Sequence, residues 1–365
     1  MDNAAYRLAC MTRLPRKTVG FSLVEIMVSI TLGIILSLAV IGVYLAQRNT
    51  YKTNVSQAGI QNTENAIAAL ITPTIRSAGF GGCATLTQAL SNLNPGGPPP
   101  LGTLNTTPAF LMGYDAAAGT TLTITQTNAA NSNQATDWLP SLDTSLTGQI
   151  EAVSDVLIVL GSTPGSTPIG ITTITNGAPT LVLQNATGVM AGQFAAVSDC
   201  LKSSVFYITA LAGTTVTHAA GAGVLANATS GLLVNYAAGS QFIMLTQTAF
   251  FIARDPSGQS ALVRATFNQN GTWSIQALAP GIETMQVLYG IGTSGVPTQY
   301  VAASAVPNWG QIYAIRVGFL IEGQQGSTTR GPTQFSVLET TVNVPADNRL
   351  RHVYEVTIHL RNSAS

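Results

Sequence analysis

Charged residues are scarce in this chain of 365 residues, where Asp, Glu, Lys and Arg together make up 8%. The 15 basic residues balance the 15 acidic ones, so the formal net charge is +0. A surface that binds nucleic acid needs clustered Lys and Arg, and the longest basic cluster here lies within residues 1–20. The composition therefore argues against direct binding of nucleic acid.

The sequence also lacks the signatures of several enzyme classes. It contains no G-x-S-x-G nucleophile elbow and no P-loop. Gly290, Gly292 and Gly295 spell G-x-G-x-x-G, but no helix start follows, so a glycine-rich hairpin turn fits better than a dinucleotide cradle. The histidines are too scattered for a metal motif. We therefore predict no enzymatic activity, no cofactor and no metal site.

Glycine, by contrast, is abundant, with 35 residues. Thr, Ser, Ala and Asn fill much of the interior of the sequence. This composition suits strands, turns and loops outside the cell better than a cytosolic helical enzyme. The length allows one large domain or two ordinary ones.

The longest apolar run lies near the N-terminus, at residues 18–46. From Ile26 to Ala46 it has 21 residues without a charge, and at ~1.5 Å per residue such a helix covers the ~30 Å core of a bilayer. Basic residues dominate the preceding segment, so the positive-inside rule places the N-terminus in the cytoplasm. A secretory signal peptide is an alternative, but its apolar region would be shorter and would end at a small-residue cleavage site.

One acid, Glu25, lies near the start of this run. A carboxylate inside a spanning helix costs roughly 2.5 to 3.5 kcal/mol at the bilayer centre and usually has a partner, yet no basic residue lies within the segment. A cut between Gly20 and Phe21 would create a cationic α-amino group four residues before Glu25, on the same helix face. That amine could neutralise the carboxylate of its own chain or of a neighbour.

The segment GFSLVE at 20–25, together with its basic leader, resembles the signature of the type IV prepilin family. The resemblance implies that a prepilin peptidase cleaves after Gly20 and N-methylates Phe21. It also implies a single-pass protein of the bacterial inner membrane, with its head in the periplasm, that later enters a pilus at the cell surface. An uncleaved membrane anchor is the alternative.

After Ala46 the helical pattern becomes amphipathic, which predicts a helix from about Phe21 to Ser77. Pro73 removes a backbone donor, so we expect a kink or break near Thr72. We divide the chain into a leader at 1–20, a transmembrane half of the helix at 21–46, an amphipathic half at 47–82, a variable loop region with a hairpin at 83–150, and a β-rich head at 151–365.

The head contains short runs rich in β-branched residues, separated by turn residues. The predicted strands are 153–160, 171–175, 180–184, 193–197, 205–209, 231–236, 240–253, 261–267, 285–289, 313–322, 334–344 and 352–360. The predicted fold class is α+β, in which a long N-terminal helix packs on a mostly antiparallel β-sheet or a two-sheet head.

The three cysteines divide by compartment. Cys10 belongs to the leader, whereas Cys83 and Cys200 lie on the oxidising side of the membrane. We predict a disulfide between Cys83 and Cys200, and two separate buried thiols are the alternative. Removal of the leader leaves 11 basic and 14 acidic residues, a formal charge of −3.

Landmarks along the rest of the chain resemble the PilW-type minor pilins. In order they are IRSAGFGGC at 75–83, SDC at 198–200, ALVR at 261–264, GIETMQVLYG at 281–290, Trp309, IRV at 315–317, DNRLR at 347–351 and LRN at 360–362. The resemblance implies a structural protein that joins other minor pilins and starts fibre growth. The stretch 84–148 matches nothing specific in that family.

The partners that the resemblance implies are other minor pilins, the major pilin, the prepilin peptidase and the inner-membrane assembly machinery, and it allows a tip adhesin. Pilus-dependent twitching, adhesion or DNA uptake would depend on such a protein. Two alternatives stay open: a minor pseudopilin of type II secretion, and a membrane-anchored periplasmic binding module.

Arginines recur among strands that are otherwise poor in charge. We expect them to pair with glutamates within the sheet, and docking of another subunit is the alternative. The arginines are Arg316, Arg349, Arg351 and Arg361, and the glutamates are Glu283, Glu322, Glu339 and Glu355.

Overall fold

A computed structural model gives the structure of residues 20–86, 89–96, 101, 109–116, 121–124, 132, 134–268, 270–328 and 331–362. Most of the predicted leader, including Cys10, and parts of the predicted loop region lie outside these described residues. The chain divides into two compact units, Met1–Tyr51 and Lys52–Ser365.

A single long α-helix, α1, runs from Leu23 to Arg76 over 54 residues. Its bounds agree with the predicted helix to within two residues at each end. By length and composition it could cross a membrane. The prediction near Thr72 was a kink or a break; the break is wrong, because α1 continues through Pro73, and the kink stays a prediction. Pro73 lies in the last turn, and Ile71 and Ile75 on either side of it are buried, so packing outweighs one lost backbone hydrogen bond.

The strands carry most of the remaining regular structure. In chain order they are β1 (Phe80–Gly81), β2 (Ala84–Thr85), β3 (Leu90–Ser91), β4 (Leu111–Ala116), β5 (Thr121–Thr123), β6 (Trp138–Leu139), β7 (Val156–Ser162), β8 (Ile169–Ile174), β9 (Thr180–Leu183), β10 (Phe194–Ser198), β11 (Ser203–Tyr207), β12 (Ala210–Ala212), β13 (Thr215–Thr217), β14 (Gln241–Arg254), β15 (Ser260–Phe267), β16 (Trp273–Pro280), β17 (Ile282–Thr293), β18 (Val296–Val301), β19 (Ile312–Gln325), β20 (Gln334–Val337), β21 (Thr340–Asn343) and β22 (Arg349–His359). Short 3₁₀ turns lie at Ala135–Asp137, Ala303–Ala305 and Trp309–Gln311.

These strands form a large sheet, a medium one and two small ones. The large sheet has 13 strands in the order β12-β13-β9-β8-β14-β10-β11-β3, with β15, β16, β4, β6 and β7 branching from it. The medium sheet has four strands in the order β18-β17-β19-β22. Within the described residues, the β11–β3 and β21–β5 pairs are parallel and the other ladders are antiparallel. The predicted α+β class is confirmed.

Most of the predicted strands are present, but two of them, 231–236 and 334–344, are wrong as single strands. Residues 231–236 form a loop, in which the backbone N–H of Tyr236 donates to the side-chain oxygen of Asn176 (2.9 Å) instead of to a neighbouring strand. The predicted strand 334–344 is a hairpin, β20–β21. In the predicted loop region, residues 121–123 form β5, which pairs with β21.

The glycine-rich segment at 290–295 comprises the end of β17 and a hairpin turn, as predicted. Ser294 and Gly295 join β17 to β18 with φ of 54° and 79°. Two central residues with positive φ define the type I′ turn that suits the twist of a two-residue hairpin.

The main core lies between the C-terminal part of α1 and the two larger sheets. The helix contributes Ile60, Ile67, Ile71 and Ile75, each at most 4% exposed. Leu245 of the large sheet and Val287 and Phe319 of the medium sheet belong to the same cluster. Burying one such side chain contributes about 1.5–3 kcal/mol, so these residues set the position of the second unit's part of α1.

Candidate functional site

The predicted processing motif lies at the beginning of the first unit. Gly20 and Phe21 precede the first helical residue, Leu23, and Phe21 is 77% exposed. Because Phe21 lies before the helix, helical geometry does not yet place it on the face of Glu25 in the uncleaved chain. Glu25 occupies the first turn, where a negative charge interacts favourably with the helix dipole. This gives Glu25 a local stabilising interaction besides the predicted pairing with an amine.

A disulfide joins Cys83 to Cys200, with a separation of 117 residues. Cys83 follows the glycines that end the α1 segment, and Cys200 lies in the turn between β10 and β11 with a left-handed φ of 71°. Beside it, the backbone N–H of Ala84 donates to the hydroxyl of Ser198 (3.2 Å). The landmarks at 75–83 and 198–200 are therefore contact partners. In the chain-entropy model, closing a loop of more than 100 residues contributes ~4 to 5 kcal/mol.

Other landmarks also contact one another across the head. The side-chain N–H of Asn362 donates to the carbonyl of Ala78 (3.2 Å), which ties the final landmark to the end of α1. Tyr289 and Trp309 pack edge to face, with ring centroids 4.8 Å apart. These short motifs are separated in sequence, but they contact one another in pairs within the folded head.

The head contains a buried ion triad of Arg351, Glu283 and Asp347. Arg351 donates from Nε to Glu283 (2.6 Å) and from Nη1 to Asp347 (2.7 Å), while Nη2 donates to both carboxylates at 2.8 Å. Its side chain is 2% exposed. Burial alone would favour the neutral form, but the bonds to Asp347 and Glu283 outweigh it and raise the pKa of Arg351. The guanidinium therefore makes two bidentate contacts, one that connects β22 to Glu283 of β17 and one to Asp347, just before β22.

Two further carboxyl groups surround the triad. Glu322 lies 3.3 Å from Arg349, yet burial and repulsion from Glu283 raise the pKa of Glu322 to about 7. Burial also raises the pKa of Glu151 to about 7, although Ser260 donates a hydrogen bond to it at 2.8 Å. The head therefore holds two carboxyl groups that titrate close to neutral pH.

The expected arginine–glutamate pairing holds for part of the set. Arg351 and Arg349 bind Glu283 and Glu322. Arg316 instead lies over the ring of Tyr300, with 4.2 Å from its guanidinium carbon to the centroid. Glu355 accepts a hydrogen bond from the backbone of Leu338 (3.0 Å). No ion pair of Arg361 or Glu339 occurs among the described residues.

Asp155 joins the two larger sheets and was not predicted. Its carboxylate accepts from the backbone N–H of Ala116 (2.9 Å) and of Val287 (2.8 Å). Burial, reinforced by repulsion from Asp115, raises the pKa of Asp155 well above its usual range. The sequence feature that could have identified Asp155 is its position directly before the apolar run of β7, a strand that is buried on both faces.

His218 is a second unpredicted buried group, since the sequence placed it only among scattered histidines. The residue is fully buried, its ring packs 5.0 Å from that of Phe206, and neither ring nitrogen has a hydrogen-bond partner among the described residues. Burial lowers the pKa of His218 to about 4. No group of three or more metal-ligating side chains occurs in the described part of the chain.

Residues 249–362 match the model of the family described as Type IV Pilus-assembly protein W. This region contains the landmarks from ALVR to LRN, including the whole Arg351 triad. The resemblance to PilW-type pilins is confirmed over this region. None of the curated proteins compared with the chain matches it.

One similar solved structure is a type IV-like pilin from Thermus thermophilus, 16% identical, with a TM-score of 0.24. The match covers 48% of this chain and 87% of that one. A TM-score at this level does not establish a shared arrangement of the head.

Proposed function

We propose that this chain, whose residues 249–362 match the PilW family of type IV pilus-assembly proteins, is a minor pilin that helps to start assembly of a pilus. The observation that carries the proposal is the presence, in one chain, of a prepilin-type segment at 20–25 and a head with PilW landmarks. We assign it a structural role without catalysis. The expected partners are other minor pilins, the major pilin and the inner-membrane assembly machinery.

The proposed path begins in the inner membrane, with the N-terminus in the cytoplasm and the head in the periplasm. A prepilin peptidase removes residues 1–20 and methylates Phe21. The apolar part of α1 then packs laterally against other pilin helices as the fibre grows. An apolar surface at this position supports the idea, since side chains of residues 23–45 such as Leu36 (68% exposed) are available for such packing.

Glu25 has a defined role in this mechanism. In the fibre core its carboxylate would meet the amine of Phe21 from a neighbouring subunit. An unpaired carboxylate among apolar helices would be costly, so the pairing selects the axial register between subunits.

The head would choose the neighbours. Its motifs are held together by a disulfide and by the Arg351 triad, which support a rigid surface. Pilus-dependent twitching, adhesion or DNA uptake would then be lost in a deletion strain. Loss of protein secretion with normal twitching would assign the chain to a type II secretion machine instead.

The assembly role is tested with Glu25→Ala. We expect normal leader cleavage but at least about tenfold less partner pilin in copurification, because the substitution removes a pairing worth more than ~1.4 kcal/mol in an apolar environment. Ser29→Ala is the matched control, since it removes a polar group one turn away and leaves the carboxylate in place. Equal copurification by both variants would contradict the role of Glu25.

The processing site is tested with Gly20→Glu. A bulky charged residue at the cleavage position should leave the leader attached, and intact-mass analysis would find residues 1–20 retained. The wild-type chain should lose them and gain one methyl group on Phe21. A mature mass for the Gly20→Glu variant would overturn the peptidase assignment.

A further inference from the structure

The longest strand of the large sheet, β14, has two different neighbours along one edge. Leu245 pairs with Phe194 of β10 and with Ser162 of β7, so β10 and β7 lie on opposite sides of β14. Phe250 pairs with Arg264 of β15 and with Leu157 of β7, so β15 lies on the same side as β10. The two neighbours diverge at the middle of β14 and leave a fork in the sheet.

The sequence of β14 changes character at this fork. The apolar run FIML is followed by TQT at 246–248 and then by the apolar run AFFIA. Before the fork, Ile243 and Leu245 face the main core, and after it Phe250 and Ile252 do so. The odd-numbered residues therefore face the main core before the polar segment, and the even-numbered residues face it afterwards. Among the described strands, β7 is the one that pairs with Thr246 and Gln247 of this segment.

A cleft of about 570 Å³ opens at the fork. This fork cleft is lined among others by Thr163, Gln193, Phe194, Thr246, Thr266 and Phe267. Its volume lies in the ~300–1,000 Å³ range of small-molecule sites. No described residue that lines it carries a charge, and hydroxyl and amide side chains predominate. A charged ligand would find no counter-ion there, whereas a neutral ligand rich in hydroxyl groups would find donors and acceptors.

Aromatic rings support one wall of the fork cleft. The ring of Phe194 contacts that of Phe267, with centroids 6.1 Å apart, and each contacts a further ring. Tyr207 lies 5.4 Å from Phe194, and Trp273 lies 5.1 Å from Phe267. The four rings form a continuous row that holds the two cleft phenylalanines in position. Phe267 offers most of this aromatic surface, because Phe194 is 6% exposed and belongs to the main core. An aromatic surface beside hydroxyl and amide groups suits a ligand with an apolar C–H face and a polar rim.

We propose that the fork cleft binds a neutral sugar unit, whose C–H face packs on the Phe194–Phe267 wall while its hydroxyl groups bond to the Thr163, Thr246 and Gln193 side chains. The hydroxyls of Thr163 and Thr246 are hydrogen-bonded to each other (2.7 Å), which leaves one O–H donor and the remaining lone pairs of the pair for adjacent sugar hydroxyls. This site uses residues of the second unit alone and does not rest on the role of Glu25 in assembly.

The test is a titration of the full-length mature protein in a detergent without a sugar headgroup. The probes are the methyl glycosides of glucose, galactose and mannose, the matching trisaccharides, and glucuronate. Saturation-transfer difference NMR measures the binding of each probe. We expect one neutral hexose to bind with a dissociation constant on the order of 1 mM, and glucuronate to bind more weakly. If the trisaccharide binds more tightly than the monosaccharide, the natural ligand is a glycan chain. If the two bind equally, the natural ligand is a free sugar.

Thr246→Val keeps the β-branched shape and removes one hydroxyl, so we expect binding to weaken about fivefold to tenfold. Thr163→Val, which removes the other hydroxyl of the pair, is a second isosteric variant in case the first does not fold. Thr173→Val, at an exposed position of β8 outside the fork cleft, is the matched control and should bind as wild type.

Three results would overturn the proposal. They are no saccharide binding up to tens of millimolar, equal binding by all three Thr→Val variants, and preference for glucuronate. Reduced copurification of partner pilins by Thr246→Val without any sugar binding would make the fork cleft a subunit contact instead. Loss of sugar binding with normal copurification separates this site from the assembly role.

Discussion

The buried position of Arg351 leads to a sharp prediction for Arg351→Met. Methionine can fill the volume of the side-chain stem, but it leaves Glu283 and Asp347 buried, with side chains 7% and 8% exposed. Four hydrogen bonds of 2.6–2.8 Å disappear at once. Removing one partner of a buried ion pair costs about 3–5 kcal/mol, because the remaining charge has no compensation.

The same reasoning predicts the response of a double variant. The double variant combines Arg351→Met with Glu283→Met. It removes one of the two carboxylates that the single variant leaves buried without a partner, and it replaces part of the triad with apolar contacts. Such replacements are often close to neutral. We therefore expect the double variant to regain part of the stability that the single variant loses.

The assay is thermal unfolding of the mature protein, followed by tryptophan fluorescence. A loss of 3–5 kcal/mol corresponds to a decrease in Tm of about 5–8 °C for a unit of this size. Arg316→Met is the matched control, since Arg316 contacts the ring of Tyr300 rather than a buried carboxylate and its loss costs about 1 kcal/mol. Equal Tm values for the two single variants would refute the idea that the triad stabilises the head.

Two further predictions concern His218 and the contact between α1 and β19. The pKa of His218 is lowered to about 4 from 6.5, so the unfolded chain binds the proton more readily than the folded chain. The contribution of the neutral His218 to the free energy of unfolding is therefore complete above pH 6.5 and decreases by ~3 kcal/mol as the pH falls towards 4. Glu151 and Glu322, whose pKa values are raised to about 7, change the stability in the opposite direction over the same range, so the test is the difference in Tm between His218→Phe and the wild type. This difference should shift in favour of the variant as the pH falls from 6.5 towards 4, and a difference that stays constant would exclude the effect of His218. A Cβ at Gly323 would lie 1.9 Å from the hydroxyl oxygen of Ser56, so Gly323→Ala should lower the free energy of unfolding by ~1–3 kcal/mol, measured by urea unfolding. Gly59→Ala, in open space on α1, should be neutral or stabilising, and an equal loss in both variants would contradict the close contact.

Strand prediction succeeded where the local pattern and the tertiary environment agree. The run at 240–253 becomes β14, and the run at 313–322 becomes the middle of β19, because both are apolar, β-branched and buried. The edge strand β16 was missed, since its residues are mostly exposed and its only ladder is with β15. The false strand at 231–236 has an apolar pattern, but the amide of Asn176 takes up the backbone donor of Tyr236.

The candidate sites divide in the same way. The segment at 20–25 could be found from sequence, since charge, glycine and apolar length are consecutive along the chain. Some arginine–glutamate pairs were expected as a class, but the partner of each residue was not. The bidentate geometry at Arg351 depends on the register of β17, β19 and β22, and that register is a property of the folded sheet.

By itself, the sequence determined the long apolar helix, the α+β class and the prepilin-type segment, because each depends on residues that are neighbours along the chain. Tertiary structure alone decided that the landmarks meet in pairs, that Asp155 joins two sheets and that β14 divides into a fork with a cleft. Those features require groups far apart in sequence to reach hydrogen-bonding or van der Waals distance. Local propensity contains no information about such distances, which packing of α1 and the sheets around one core establishes.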